Sequence, residues 1–189
     1  MPDDSAKRMF PNEVEEQLVA KTKQMVTAVE ICLTHDLWEP ALILILCHID
    51  ALAWLNRPVD REDVIREDFV VWVDKYLLPE SGLECTAEEL YGARCGLLHS
   101  HTGESRLHRQ HKIRKIFWSR AQGENVYTLI QIRMNEKFLP VGVGIDHHFW
   151  ALRTALERFG MALDDNRELG GLVGERILKS YLSRARRVN

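Results

Sequence analysis

The chain has 189 residues, of which 46% are hydrophobic and 28% are charged, with a net charge of −3. This is the composition of an ordinary folded protein, and it excludes a disordered chain. The four cysteines form no CxxC pair, a pattern that argues against a disulfide framework or a zinc ribbon and favours a reduced, cytoplasmic protein.

The first two helices are predicted from apolar spacing. Residues 1–11 contain no apolar stretch of the kind that a secretory signal needs. Asn12 is a good helix cap, and apolar residues recur at helical spacing as far as Leu33. A second helix is predicted over residues 40–56, and because it is apolar on nearly every side we expect it to be central and buried. Its apolar run, residues 41–47, is too short for a membrane span, so we expect no membrane contact.

Two more helices complete a predicted bundle. Acidic residues from Asp60 onward predict the start of the third helix. Thr86 and Glu89 have the spacing of a capping box, which predicts that a fourth helix starts there. Four helices joined by short links predict a mainly α bundle over residues 12–104. The buried stripe of the third helix should comprise Ile65, Phe69, Trp72, Val73, Tyr76 and Leu77.

The pattern changes after the bundle. Residues 113–119 are β-branched and aromatic, residues 126–134 alternate, and residues 121–125 suit a turn, which together predict a β-hairpin. Residues 138–144 contain Pro140 and two glycines and predict a loop or turn.

Helical spacing then returns in the last part of the chain. It begins at Ile145 and predicts two C-terminal helices, the second over about residues 166–184. We expect residues 105–189 to pack on the bundle as part of one domain.

Charge divides the chain into two unlike parts. Residues 1–104 carry 9 basic and 20 acidic side chains, a net charge of −11, whereas residues 105–189 carry 16 and 8, a net charge of +8. This asymmetry favours a polyanionic partner on the C-terminal side, or equally an attraction between the two halves or between two copies of the chain.

The candidate catalytic pair is Arg94 and His99, at the end of the fourth helix. The arginine fork matches phosphate oxygens, and a histidine can move a proton near neutral pH. Five residues on a regular helix rotate by about 140°. We therefore expect the two side chains to diverge within one chain and to meet across a dimer, unless Gly96 or the helix end distorts the helix. The alternative is a surface arginine and a helix-terminal histidine with no special role.

A charged residue embedded in the apolar second helix needs a partner. Asp50 lies in that helix with His48, and a buried carboxylate without a partner is costly. We expect Arg94 to pair with Asp50, which would fix the arginine as a support for the site. The alternatives are that Asp50 reaches solvent or caps a neighbouring helix. His48 is expected to be a satisfied core or edge histidine.

The segment from Ser105 to Gly123 is basic, contains no acidic residue and carries interleaved aromatic residues. Such a segment can follow a nucleic-acid backbone and stack on bases. The alternative is a solvated hairpin face with its tryptophan packed on the bundle. The predicted RNA-binding residues are Arg106, Arg109, Lys112, Arg114, Lys115 and Trp118.

A histidine cluster offers a metal-binding alternative. The spacing of these residues is tolerable for zinc ligands, but neighbouring arginines would repel a cation and no second cysteine is adjacent. We therefore expect no metal or other cofactor, and His101 is expected to help hold phosphate or to be exposed. The residues of the cluster are Cys95, His99, His101, His108 and His111.

The sequence Arg94-Cys95-Gly96-Leu97-Leu98-His99, at the end of a bundle whose second helix carries an embedded acid, resembles the HEPN domain. HEPN domains are small all-α proteins that include metal-independent endoribonucleases. The resemblance covers about residues 12–103 and does not reach the hairpin or the C-terminal helices. It implies a homodimer in which Arg94 and His99 of both chains form one site. Asp50 and His101 are the supporting residues, for the reasons given above.

The same resemblance implies RNA as substrate and a 2′,3′-cyclic phosphate product. Family members act in defence and in toxin–antitoxin systems, so it also implies a neutralising protein partner if this chain is a toxin. Two alternatives remain open at this point. The first is a non-catalytic HEPN-like binding or scaffold protein, and the second is a metal-binding protein that uses the histidine cluster.

Overall fold

The computed structural model describes residues 12–102, 104–120 and 140–179, and it has the mainly α architecture that the sequence predicts. The third helix continues into a π-helical turn, Val73–Leu77. Within these residues the elements are α1 (Asn12–Thr34), α2 (Trp38–Asn56), α3 (Arg66–Trp72), α4 (Ala87–Ser100), α5 (Arg106–Arg109), β1 (Ile116–Ser119), β2 (Val141–Gly144), α6 (Ile145–Asp165) and α7 (Arg167–Lys179).

The apolar helix α2 is the centre of the fold, as predicted. Helices α1, α3, α4, α6 and α7 all contact it. It is also the one described helix that is long and apolar enough to cross a membrane, a test that the core helix of a soluble protein passes as well. Its buried residues are Ala41, Leu42, Ile45, Leu46, Ile49, Leu52 and Ala53.

Helix α7 is attached to the end of α2 by one arginine. Arg176 donates hydrogen bonds to the carbonyl oxygens of Leu55, Arg57 and Pro58, at distances of 2.7, 2.5 and 2.9 Å. Carbonyl groups at a helix C-terminus have no partner within the helix. Arg176 therefore completes α2 while fixing the C-terminal helix against it.

Helix α3 begins at Arg66, so the prediction that it starts at Asp60 is wrong. The carboxylate of Asp68 accepts the backbone N–H of Ile65 at 2.9 Å and pairs with Arg61 at 2.6 Å. The first bond satisfies the backbone N–H of the residue before the helix, and the ion pair holds the Asp68 carboxylate in place, so the helix starts here. Ile65 precedes the helix and is exposed, whereas the other five residues of the predicted stripe are buried.

Helix α4 begins where its capping box predicts. The Thr86 hydroxyl accepts the N–H of Glu89 at 3.2 Å, and the Glu89 carboxylate accepts the N–H of Thr86 at 2.9 Å. These reciprocal bonds satisfy two N–H groups at the helix start. Leu90 and Ala93 then face the core, and Leu97 packs against it.

The β-structure differs from the predicted hairpin. Strand β1 pairs in parallel with β2, in a register that joins Ile116 to Val141 and Ser119 to Gly144. The predicted turn and second strand, residues 121–134, lie outside the described residues.

The prediction that residues 138–144 form a loop is wrong for Val141–Gly144, which is the strand β2, and its two glycines do not form a turn. The reason is a two-residue alternation in which Val141 and Val143 point into the core, 1% and 2% exposed.

The two predicted C-terminal helices are present, as α6 and α7. Helix α6 packs on the π-helical turn, where the rings of Phe159 and Tyr76 meet edge to face with centroids 5.1 Å apart. Residues of α6, α7 and β2 join the same hydrophobic cluster as α1–α4. The last part of the predicted second helix, residues 180–184, lies outside the described residues.

Candidate functional site

The predicted ion pair between Asp50 and Arg94 is present between α2 and α4. Arg94 donates from Nε and Nη2 to the same Asp50 oxygen, Oδ2, at 2.7 and 2.6 Å. Each side chain is 22% exposed, so the pair is partly desolvated while one edge faces solvent. The ion pair fixes the guanidinium orientation because two of its three nitrogens are engaged.

The third nitrogen of Arg94 is directed at His99. The distance from Nη1 of Arg94 to Nε2 of His99 is 3.4 Å. The expectation that these side chains diverge within one chain is therefore wrong. Helical side chains lean toward the helix N-terminus, so the His99 ring leans back toward Arg94, and the long arginine side chain spans the remaining distance.

Burial and charge act in opposite directions on the two members of the ion pair. Burial raises the pKa of the Asp50 carboxyl, and this effect exceeds the lowering by Arg94 and His99. Burial disfavours the charge on Arg94, but the bonds to Asp50 outweigh it and raise the pKa of the guanidinium. Arg94 is consequently a permanent cation held at the edge of the core by a destabilised carboxylate.

Two thiols and a phenol lie beside this ion pair. Cys95 Sγ is 3.9 Å from Nη1 of Arg94. Partial burial of the thiol, and then the charge of Asp50, raise the pKa of Cys47, which makes it a poor nucleophile. The Tyr91 ring lies 6.0 Å from the Arg94 guanidinium carbon and supports it from the preceding turn of α4.

The chain returns along α4 immediately after the helix ends. A Cβ atom on Gly96 would lie 2.7 Å from the carbonyl oxygen of Thr102 and 3.0 Å from the carbonyl carbon of Glu104. Gly96 therefore allows the backbone to approach the part of α4 that lies between Arg94 and His99. The helix ends at His101, which adopts the left-handed conformation with φ 49° and ψ 35°.

His101 is turned back toward α2. Its Nδ1 lies 3.3 Å from Oε1 of Glu39, in the first turn of that helix. The ring is otherwise open, with 71% of the side chain exposed. The expectation that His101 is exposed is therefore confirmed. Its acidic neighbour, Glu39, was not predicted from the sequence.

The six predicted RNA-binding residues fall into two groups. Arg106, Arg109 and Lys112 are exposed. The other three have partners within the fold, as their contacts show. Arg114 pairs with Glu89 at 2.6 Å, Lys115 pairs with Glu104 at 3.2 Å, and Trp118 stacks on His148 with ring centroids 5.1 Å apart.

The histidine cluster is dispersed. His108 accepts the N–H of Ser105 at Nδ1, at 2.9 Å, and its Nε2 lies 3.1 Å from the carbonyl oxygen of Arg114. It therefore fixes the segment that follows α4, while His99 and His101 face Arg94 and Glu39. Among the described residues, no group of three or more His, Cys, Asp or Glu side chains is placed to hold a metal ion.

Comparison of the chain with protein-family models, with curated proteins and with solved structures finds no match. The function of the site must therefore be argued from its own geometry and chemistry.

Two features of the site were not predicted. Glu39 has no distinguishing signal, because an acidic residue in the first turn is common in helices. Tyr91 could have been found from its spacing, three residues before Arg94 on the same helix. His48 also differs from expectation, because its buried Nδ1 has no hydrogen-bond partner among the described residues and burial lowers its pKa to about 4.

Proposed function

We propose that this chain is a metal-independent endoribonuclease of the HEPN type, cytoplasmic and active as a homodimer. The observation that carries the proposal is the chain of contacts from Asp50 through Arg94 to His99. A cation whose orientation is fixed by a carboxylate, and which touches a histidine at the protein surface, suits phosphodiester cleavage.

Arg94 has one edge available for a phosphate. Its Nε and Nη2 are held by Asp50, whereas Nη1 faces His99, the Cys95 thiol and solvent. A bound phosphodiester takes the place of His99 at Nη1, because a phosphate oxygen is a stronger acceptor for a guanidinium than an imidazole nitrogen. Arg94 then stabilises the charge that develops on the phosphate oxygens.

His99 is suited to be the general base. Arginine has only donors, so the contact at 3.4 Å places a lone pair on Nε2 of His99. Once the phosphate has displaced this contact, Nε2 removes the proton from the ribose 2′-hydroxyl. The 2′-oxygen bonds to phosphorus as the bond to the 5′-oxygen breaks, which gives a 2′,3′-cyclic phosphate and a departing 5′-oxygen that has to be protonated by a second group.

The exposed basic residues Arg106, Arg109 and Lys112 would hold the RNA backbone near this site. They follow the segment that packs on Gly96, between Arg94 and His99. In the proposed homodimer the second Arg94–His99 pair faces the first, so that one cleft contains two cations and two histidines. Backbone contacts of this kind give affinity that falls with salt and carries little sequence preference.

The test is cleavage of mixed single-stranded RNA in the presence of EDTA. We expect wild-type protein to leave 2′,3′-cyclic ends, and we expect His99→Ala and Arg94→Ala to lose about 10²- to 10⁴-fold in rate. His35→Ala, which removes an exposed histidine at the end of α1, is the matched control and should cleave normally. Circular dichroism and light scattering establish that the variants fold and dimerise.

Two results would contradict the proposal. Cleavage by His99→Ala at the wild-type rate would remove His99 from the site. Absence of cleavage by folded, dimeric wild-type protein on all RNAs tested would favour the non-catalytic binding or scaffold protein instead.

The role in defence or as a toxin rests on the family resemblance alone. For such a role we expect growth arrest when the protein is expressed, dependent on His99 and relieved by a neutralising protein partner. Equal growth with wild-type protein and His99→Ala would argue against a toxin without affecting the ribonuclease proposal.

A further inference from the structure

We propose that His101, oriented by Glu39, is the general acid that protonates the 5′-oxygen leaving group. This inference rests on the proposed ribonuclease function and deepens it. It gives the site a second proton-transfer group, separate from His99, and assigns Glu39 as the positioning residue.

The backbone at His101 is the first observation. The residue adopts φ 49° and ψ 35° at the end of α4, a left-handed conformation that glycine or asparagine usually supplies at helix ends. A histidine there is disfavoured relative to glycine, because its Cβ crowds the backbone in this region. Backbone conformations of this kind are concentrated at functional sites.

The contact with Glu39 is the second observation. Nδ1 of His101 lies 3.3 Å from Oε1 of Glu39. A carboxylate only accepts hydrogen bonds, so Nδ1 carries the proton in this contact. Nε2 is on the opposite edge of the ring, which is 71% exposed. The ring therefore presents Nε2 to a molecule bound at the surface.

Both histidines are connected to one face of α2. Glu39 and Asp50 are eleven residues apart, which on an α-helix is about three turns, so they lie on nearly the same face and about 16 Å apart along the axis. Glu39 contacts His101, and Asp50 holds the arginine that contacts His99. The two histidines are thus two residues apart at the end of α4, with His101 joined to this face of α2 by Glu39 and His99 joined to it through Arg94 and Asp50.

The neighbours of the two rings divide the chemistry between them. His99 faces a group that only donates, which favours a base. His101 acts in its imidazolium form, in which Nδ1 donates one proton to Glu39 and Nε2 carries the second proton, the one that is transferred. In the cleavage step His99 takes the 2′-hydroxyl proton as the 2′-oxygen–phosphorus bond forms. His101 gives the proton on Nε2 to the 5′-oxygen as the phosphorus–oxygen bond breaks, so one proton is taken up and one is released.

The test compares two substrates that differ only in their need for a general acid. The leaving group of a diribonucleotide is an alkoxide, which needs protonation. The leaving group of a ribonucleoside 3′-(4-nitrophenyl phosphate) is a stable phenolate, which does not. We expect His101→Asn to lower kcat on the diribonucleotide by about 10²-fold and to cleave the aryl ester at the wild-type rate. His99→Ala should lose both activities.

The chain supplies a close control for this substitution. His111 is also an exposed histidine in the left-handed region, with φ 52°. Asparagine tolerates this backbone conformation, so His101→Asn and His111→Asn impose the same change on the backbone. We expect His111→Asn to cleave both substrates normally, and Glu39→Gln to slow only the diribonucleotide, by less than His101→Asn does.

The outcomes separate this inference from the function on which it rests. Equal effects of His101→Asn on the two substrates, or no effect on either, would overturn the role of His101 and leave the ribonuclease proposal standing. Failure of wild-type protein to cleave either substrate would overturn both proposals.

Discussion

Helix α4 contributes one residue to each of two arginine–carboxylate pairs, Glu89 near its N-terminus and Arg94 at its middle, and the pairs differ in how completely the charges are satisfied. Near the N-terminus, Glu89 accepts from Arg114 with both oxygens, at 2.6 and 3.0 Å, and also from the N–H of Thr86. At the middle of the helix, one oxygen of Asp50 holds two nitrogens of Arg94, and the third nitrogen faces His99.

The pKa values of the two carboxyl groups shift in opposite directions. Burial by itself would raise the pKa of Glu89, but the bonds from Arg114 and Thr86 outweigh it and lower that pKa. Burial also raises the pKa of Asp50, and there the contribution of Arg94 is too small to reverse it. Glu89 thus belongs to a closed pair, in which both carboxylate oxygens have partners within the fold. Asp50 instead holds an arginine whose third nitrogen lies outside the ion pair, and carboxyl groups with a perturbed pKa are common at functional sites.

The largest effect expected from this contrast is on catalysis. Asp50→Asn keeps the shape of the side chain and removes the charge that orients Arg94. Loss of such positioning is expected to lower kcat by about 100-fold, with a smaller change in KM and little loss of thermal stability. Steady-state kinetics on a diribonucleotide and a thermal melt measure these quantities, and an unchanged kcat would show that Asp50 has only a structural role.

Disruption of the closed pair at Glu89 should reduce stability rather than catalysis. The Glu89 side chain is 5% exposed. Glu89→Gln removes its charge and weakens the hydrogen bonds from Arg114 and Thr86, so we expect the free energy of unfolding to fall by about 1–3 kcal/mol. Glu88→Gln is the matched control on the same turn, because Glu88 is 40% exposed and pairs with Arg66 at the surface. Its effect should be about 0–1 kcal/mol, and urea titration of both variants makes the comparison. Equal losses would contradict the distinction between a closed pair and a surface pair.

Two histidines differ in a similar way. A ring nitrogen of His99 contacts Arg94, whereas neither ring nitrogen of His148 has a hydrogen-bond partner among the described residues. His148 is fully buried and stacked on Trp118, with neither ring nitrogen hydrogen-bonded in the described part of the chain. Burial, and then the charge of His147, lower its pKa to about 3. The folded protein therefore keeps this imidazole neutral at pH values where the unfolded chain protonates it.

The consequence is a loss of stability in mild acid. Between pH 7 and pH 5 the unfolded chain binds a proton at His148 that the folded chain does not, which lowers the free energy of unfolding by about 2 kcal/mol. His48, with its pKa lowered to about 4, adds a loss in the same direction. His148→Phe should remove its share of the difference between urea titrations at pH 7 and pH 5, and an unchanged difference would show that His148 is not the source.

Features encoded by neighbouring residues could be predicted from the sequence. The start of α4 was predictable because Thr86 and Glu89 satisfy each other locally. The Asp50–Arg94 pair was predictable for a different reason, since a carboxylate in an apolar helix has few means of compensation other than a basic partner.

Features that depend on tertiary placement could not be predicted in this way. The parallel pairing of Ile116 with Val141 joins two strands that are far apart in the sequence. Neither of these short strands contains a sequence signal that indicates which strand it pairs with. The meeting of Arg94 and His99 depends on side-chain length and lean, which the angular spacing alone omits. The sequence predicted Glu89 as a capping residue, but it did not predict that the same carboxylate pairs with Arg114, which is 25 residues away.

Two glycine-to-alanine substitutions are expected to change the free energy of unfolding in opposite directions. Gly160 lies within α6, and a methyl group added there would have no neighbour within 4 Å beyond the backbone of its own helix. Gly160→Ala should therefore raise the free energy of unfolding by up to about 1 kcal/mol through helix propensity. At Gly96 the same methyl group would meet the backbone at Thr102 and Glu104. Because backbone cannot rotate away as a side chain does, Gly96→Ala should lower the free energy of unfolding by about 1–3 kcal/mol. Urea titration of the two variants distinguishes the cases, and a gain of stability at Gly96 would mean that the chain does not return along α4 beside the Arg94–His99 pair.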